Sequence, residues 1–144
     1  MSEVIRTLPI SGYEFEVKKM SGHEEDLLTN EKMVRSGEAV ERIMINCTVL
    51  LNGKKPTSKD IAALKAPDRK VLLGEIRKLS YGPLVRAEMA CRCKKVGSCE
   101  IDLEALEYKP YDSSAETEVL VDGKRVKFEE LDGNDEHKLL TSLS

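Results

Sequence analysis

Residues 12–22 read G-Y-E-F-E-V-K-K-M-S-G and residues 123–133 read G-K-R-V-K-F-E-E-L-D-G. Both stretches begin and end on glycine at the same spacing. Between the glycines, apolar side chains fall at alternate positions, Phe15 and Val17 in the first and Val126 and Phe128 in the second. A period of two marks a half-buried strand entered from a tight turn. Asp122-Gly123 is the stronger turn signal, because Asp-Gly readily supplies the positive φ values of a two-residue hairpin loop. Each stretch also closes on a helix start: Ser21 with Glu24 forms a capping box, and Asp132 with Asp135 is an acidic version that suits the positive helix N-terminus. The chain therefore uses one hairpin-plus-helix unit twice, residues 117–144 resembling residues 7–29.

A helical section separates the copies. Val40, Ile43, Met44, Cys47 and Leu51 lie on one apolar stripe, which predicts a helix starting after Ser36-Gly37 and ended by Asn52-Gly53. A short helix is expected from Ser58 through Leu64. A longer one opens at Pro67, a favoured first helical position, and carries Leu72, Leu73, Ile76 and Leu79 inward until Tyr81-Gly82-Pro83 stops it. Residues 84–89 and 99–103 then read as the two strands of a hairpin spanning 84–103. Lys109-Pro110-Tyr111-Asp112-Ser113-Ser114-Ala115 marks a linker over 109–116. The expected fold class is α+β, with β-hairpins flanking a helical middle section and a main domain over 1–108.

A chain of 144 residues buries roughly 70% of the surface its unfolded form exposes, enough for one domain without covalent staples. Aromatic residues make up 4% and Trp is missing, so the core must be aliphatic and a base-stacking platform is disfavoured. No apolar run reaches the length of a membrane span, and M-S-E-V-I-R-T lacks the layout of a signal peptide. The expected setting is a reducing cytoplasm. The net charge of −3 hides an asymmetry: residues 1–53 carry −3, residues 54–95 carry +8 and residues 96–144 carry −8. Such a dipolar chain suits complementary packing against neighbours.

Three of the four cysteines fall in C-R-C-K-K-V-G-S-C, at Cys91, Cys93 and Cys99, placing them at the expected hairpin tip. A structural zinc ion needs up to four thiolates in a tetrahedral shell, so a fourth ligand must come from afar. Cys47 is the natural candidate, although it also lies on the apolar stripe, where free Cys behaves as a small hydrophobe. His23 and His137 are remoter candidates. Reduced thiols without metal, and a disulfide under oxidising conditions, are the other readings. Arg92, Lys94 and Lys95 favour a thiolate, but no His base adjoins the cluster, and no phosphate loop, dinucleotide fingerprint or H-E-x-x-H occurs. The chain is not expected to be an enzyme.

Taken in order, Leu8-Pro9 to Gly12, Gly22-His23-Glu24-Glu25, Asp68-Arg69 to Leu73, Ser80-Tyr81-Gly82, Cys91 to Cys99, and Ile101-Asp102-Leu103 resemble the small baseplate hub and hub-assembly chaperone proteins of contractile-tailed bacteriophages, over residues 8–108. The resemblance implies a structural or assembly component of a baseplate hub, located in the virion baseplate or, during assembly, in the host cytoplasm. Its implied partners are other tail and baseplate proteins, with several copies in a larger assembly. It also implies a zinc-knuckle-like hairpin, although the family's C-x-x-C appears here as C-x-C with a later Cys. Relatives carry a full helical section after the second strand unit, whereas this chain reaches Ser144 where that helix is expected to begin. The rival reading is a zinc-containing nucleic-acid-binding or regulatory module, supported by the +8 segment beside the cysteines and opposed by the acidic remainder and the scarcity of aromatics.

Overall fold

In the computed structural model, which describes residues 6–108, 112 and 117–143, the first unit forms as its alternation dictates. Strands β1 (Arg6–Thr7) and β2 (Glu14–Val17) pair antiparallel around a turn in which Leu8 N–H donates to Tyr13 O and Gly12 N–H to Leu8 O. Helix α1 (Gly22–Thr29) then starts at Ser21, whose backbone N–H and hydroxyl both donate to the Glu24 carboxylate. Glu24 also accepts a bond from Asn46 at 3.1 Å. A short helix α2 (Glu31–Arg35), capped by Asn30, leads into α3 (Glu38–Cys47).

The apolar stripe of α3 continues to Leu51, but the helix does not. Thr48–Leu51 forms strand β3, which pairs with β2 so that Phe15 faces Leu51 and Val17 faces Thr48, giving the order β1-β2-β3. The reason is local: T-V-L-L is β-branched and apolar, and β2 offers it a free edge. Asn52 and Gly53, at φ 50° and 77°, form a tight reversal bonded from Leu51 N–H to Lys54 O, not the end of a helix. Leu51 reaches the core from a strand.

Helix α4 (Ser58–Ala63) is capped reciprocally by Thr57 and Asp60. Helix α5 (Ala66–Tyr81) follows, with Pro67 in its first turn. Leu8, Phe15, Ile43, Met44, Cys47, Leu51, Ile61, Leu64, Val71, Leu72 and Ile76 form one aliphatic core between the sheet, α3, α4 and α5. Fully burying each such large side chain contributes about 1.5–3 kcal/mol. Leu79 departs from expectation and is exposed, because the buried stripe of α5 runs through Val71, Leu72, Glu75 and Ile76.

Both ends of α5 hold other segments by polar contacts. Asp68, wholly buried, accepts Ile10 N–H at 2.7 Å and Ser11 N–H at 3.0 Å, so its two oxygens satisfy the turn between β1 and β2. Burying a carboxylate is costly unless its oxygens are bonded, and here both are. Arg69, also buried, donates to Ile61 O at 3.0 Å and to Glu136 at 3.1 Å. At the far end, Ser80 Oγ accepts Met20 N–H at 2.9 Å and Tyr81 OH donates to Glu25 at 2.8 Å, fixing α1. Gly82 ends the helix at φ 83°, a value that favours glycine. Mid-helix, Glu75 pairs with Arg6 of β1 and with Lys78, which also reaches Glu104.

Two further hairpins complete the described chain: β4 (Leu84–Ala90) with β5 (Val96–Asp102), and β6 (Glu118–Val121) with β7 (Lys124–Lys127). A 3-10 turn (Leu103–Ala105) follows β5. The linker expected at 109–116 lies outside the described residues apart from Asp112. Helix α6 (Gly133–Ser142) is capped by Asp132 and Asp135 as read, and it runs ten residues instead of only beginning. It docks on the main body through Arg69–Glu136, through Ala66 N–H to Leu131 O at 2.7 Å, and through Leu140 seated on Gly37. A Cβ on Gly133 falls 2.5 Å from the Arg69 guanidinium. The fold is thus α+β with small antiparallel sheets.

Two predictions follow from this geometry. Asp68→Asn turns an amide NH2 toward one of the two turn N–H groups and should lower unfolding stability by about 2–3 kcal/mol in urea titration. Glu31→Ala, which removes only an exposed pair with Arg35, should cost less than about 0.5 kcal/mol; equal effects would contradict the assigned role of Asp68. Glu24 is held well below the usual carboxylate range, at about 2 instead of 4.5, chiefly by the Ser21 side chain, against the opposing effect of burial. The folded state therefore binds fewer protons, and this stabilisation is complete above the unfolded value and is lost as pH falls through about 2. Glu24→Gln should accordingly show a shallower loss of stability than wild type between about pH 5 and about pH 2, read from denaturation midpoints across that window.

Candidate functional site

The two outlying hairpins carry the apolar surface that the core does not use. In the β4–β5 hairpin the ladder runs from Leu84 opposite Asp102 to Ala90 opposite Val96. Side chains alternate across a strand, so Val85, Ala87, Met89, Cys99 and Ile101 share one face. The other face carries Arg86 and Glu100, bonded at 3.0 Å, with Glu88, Ser98 and Asp102, and also Leu84, Ala90 and Val96. Met89 is 62% and Ile101 43% exposed, whereas Val85, Ala87 and Cys99 are half-buried.

The β6–β7 hairpin repeats the arrangement. Asp122 and Gly123, both at positive φ, form the two-residue turn expected of Asp-Gly. Val119 opposes Val126, and Phe128 N–H extends the ladder by donating to Thr117 O at 2.8 Å. Val119, Val121, Val126 and Phe128 therefore line one face together with Lys124, and the four apolar side chains are all exposed. The expectation of a half-buried strand holds for Phe15 and Val17 but not for Val126 and Phe128. In the first unit β3 supplies a third strand and the core covers Phe15; in the second, β6–β7 is a two-stranded sheet. Two-stranded hairpins are marginal alone, and apolar faces of this kind mark protein contact sites.

The cysteines do not converge. Cys47 is fully buried in the core, where burial pushes its thiol up. Cys91 and Cys93 are exposed at the β4–β5 tip. Cys99 stands opposite Ala87, four residues along the ladder from Cys91, or about 13 Å at the usual strand rise. His23 and His137 are exposed on α1 and α6. Among the described residues, no group of three His, Cys, Asp or Glu side chains could hold a metal ion. The four-thiol set Cys47, Cys91, Cys93 and Cys99 thus does not fit a single zinc shell in this arrangement.

The charge asymmetry is partly spent inside the chain. Arg69–Glu136, Lys78–Glu104 and Arg86–Glu100 each join the basic segment to the acidic one, leaving less of the +8 for an external polyanion. A cleft of about 280 Å³ opens beside Asp68, with Lys54, Asp60 and Lys65 among its lining residues. Both of its carboxylates are engaged, Asp68 by the turn amides and Asp60 by Thr57. The clamping roles of Asp68 and Arg69, and the openness of the hairpin faces, were not foreseen from sequence. The signal for the latter is compositional: each hairpin alternates like a covered strand, yet no neighbouring segment reads as a third strand to cover it.

A family described as T4 bacteriophage base plate protein matches residues 1–142 of the chain. No curated protein and no solved structure matches it. Among the described residues, no helix is long and apolar enough to cross a membrane.

If the hairpin faces are uncovered, amide hydrogen exchange should divide the molecule. Amides of β6–β7 should exchange at near-unprotected rates, while those paired between β2 and β3 are slowed by opening free energies close to global stability. Comparable protection in both sheets would show that something in the chain covers the second hairpin.

Proposed function

The chain belongs to the T4 bacteriophage base plate protein family and so has a structural or assembly role in a phage baseplate; from that premise we propose that it works at the hub of a contractile tail. It acts by presenting surfaces to other tail and baseplate proteins, in several copies within the assembly, and not by making or breaking bonds. The observation that carries this reading is the pair of amphipathic hairpins whose apolar faces, around Met89 and Ile101 and around Val119 and Val126, are uncovered on a well-packed body. A neighbouring subunit can cover such a face or extend its edge by strand addition. The opposite face of each hairpin mixes charge with exposed apolar residues, Leu84 and Val96 on the first and Leu120 on the second.

Loss of the gene in a phage should leave tails without functional baseplates, and the wild-type gene in trans should restore them. Val119→Asp with Val126→Lys places an opposite-charge cross-strand pair on an already exposed face, so the thermal midpoint should hold while affinity for a hub partner drops by about 2 kcal/mol or more, roughly thirtyfold. Cross-linking in intact particles should connect residues of these hairpins to hub subunits. Full complementation by the double variant, or cross-links only to proteins distant from the hub, would overturn the assignment.

A further inference from the structure

The tip of the β4–β5 hairpin holds two thiols in a geometry that packing does not explain. Cys91 N–H donates to Lys95 O and Lys94 N–H donates to Cys91 O, both at 2.9 Å, so residues 92–94 form a three-residue loop. Lys94 adopts φ 65°, the left-handed conformation that closes loops of this length. Within the loop, Cys91 Sγ accepts the Cys93 N–H at 3.5 Å, as an Asp side chain does in an Asx-turn. That bond favours the thiolate and holds the Cys91 thiol below its ordinary value. Arg92, Lys94 and Lys95 adjoin the pair in sequence, and both thiols are exposed. A thiol that accepts a backbone N–H and stands open to solvent meets the conditions for reactivity.

Cys93 sits where a resolving thiol must sit. Consecutive Cα atoms lie 3.8 Å apart, so residues two apart are separated by at most about 7.6 Å, and by less in a turn. This brings the pair within the roughly 4.4–6.8 Å span of disulfides. Cys99, about 13 Å along the ladder, and Cys47, in the core, are out of reach. We infer that Cys91 and Cys93 form a reversible dithiol–disulfide pair that exchanges with low-molecular-weight disulfides such as glutathione disulfide.

In this exchange the Cys91 thiolate attacks one sulfur of glutathione disulfide, forming a mixed disulfide and expelling one glutathione thiolate, which takes up a proton. Cys93 loses its proton, attacks the Cys91 sulfur and expels the second glutathione. Two protein thiols are oxidised to one disulfide, and one glutathione disulfide is reduced to two glutathiones. Exposed or strained disulfides of this kind have oxidising potentials and are readily re-reduced. The inference does not depend on the baseplate role.

The test uses the full-length reduced protein in defined glutathione buffers, quenched by alkylation and read by intact mass and peptide mapping. The expected product has lost two hydrogens, links Cys91 to Cys93, leaves Cys99 and Cys47 free for alkylation after unfolding, and reverts in excess glutathione. Cys93→Ser should stop at a stable glutathione adduct on Cys91, and Cys91 should alkylate about tenfold faster than Cys99 in the native protein near neutral pH. Circular dichroism of the variant checks that the exposed change leaves the fold intact. Equal alkylation rates for Cys91 and Cys99, a disulfide that instead engages Cys99, or stoichiometric zinc shielding Cys91 and Cys93 from alkylation in the purified protein would each overturn the inference.

Discussion

Two neighbouring residues on the first turn of α5, Asp68 and Arg69, bind two hairpin-plus-helix units, one from each end of the chain, to one helix. Asp68 takes the turn that launches the first unit, and Arg69 takes the helix that closes the second. Consecutive helical residues point about 100° apart, so one turn of helix serves two segments 57 or more residues away in opposite directions along the chain. Each buried group is compensated separately, Arg69 by the Glu136 carboxylate and Asp68 by two backbone N–H groups, which matters because an uncompensated buried charge costs several kcal/mol. Gly133 is the third member, since any side chain there runs into the guanidinium of Arg69 and the carbonyl of Ala62.

Given that anchor, α5 behaves as a spine with rigid attachments at its start, middle and end. The Glu75 network ties β1 to it, and Ser80 with Tyr81 ties α1. Arg77 lies over the Tyr81 ring at 4.8 Å and donates to Gly82 O, fixing the last turn. What lies beyond Gly82 is held differently: β4–β5 and β6–β7 are two-stranded ladders bonded along their own length. The molecule thus divides into a body stabilised by burial and two hairpins that leave much of their apolar surface exposed.

Much of this was legible before any coordinates. Capping boxes at Ser21 and Asp132, the Asp-Gly turn and the helix opening near Pro67 are local devices, and local chemistry decided them. The errors arose where tertiary context outweighed pattern. Val40 through Leu51 keep a helical stripe, yet Thr48–Leu51 left the helix because a strand edge was available, and Leu51 stays buried in either conformation. Val126 and Phe128 alternate like Phe15 and Val17, but alternation reports only that one face is apolar and not whether anything covers it. Asp68 and Arg69 looked like ordinary first-turn charges, since nothing local distinguishes a solvated carboxylate from one bonded to amides 57 and 58 residues away.

The distribution of charge bears on how such arms find a partner. Ion pairs between the basic and acidic segments consume cations on α5 and β4, while Arg92, Lys94 and Lys95 at the hairpin tip stand exposed next to the open face of Met89 and Ile101. Exposed charge of this kind acts mainly on encounter and orientation, with a contribution that salt screens, whereas residence time depends on apolar contact and its exclusion of water. The β4–β5 arm carries both kinds of group, exposed cations at its tip and exposed Met89 and Ile101 on its face. On the β6–β7 arm, the cations Arg125 and Lys127 lie opposite Leu120 and Glu118, on the face away from Val119 and Val126. Lys124, opposite Val121, nevertheless shares the face of Val119 and Val126, so each arm sets at least one cation beside an apolar strip.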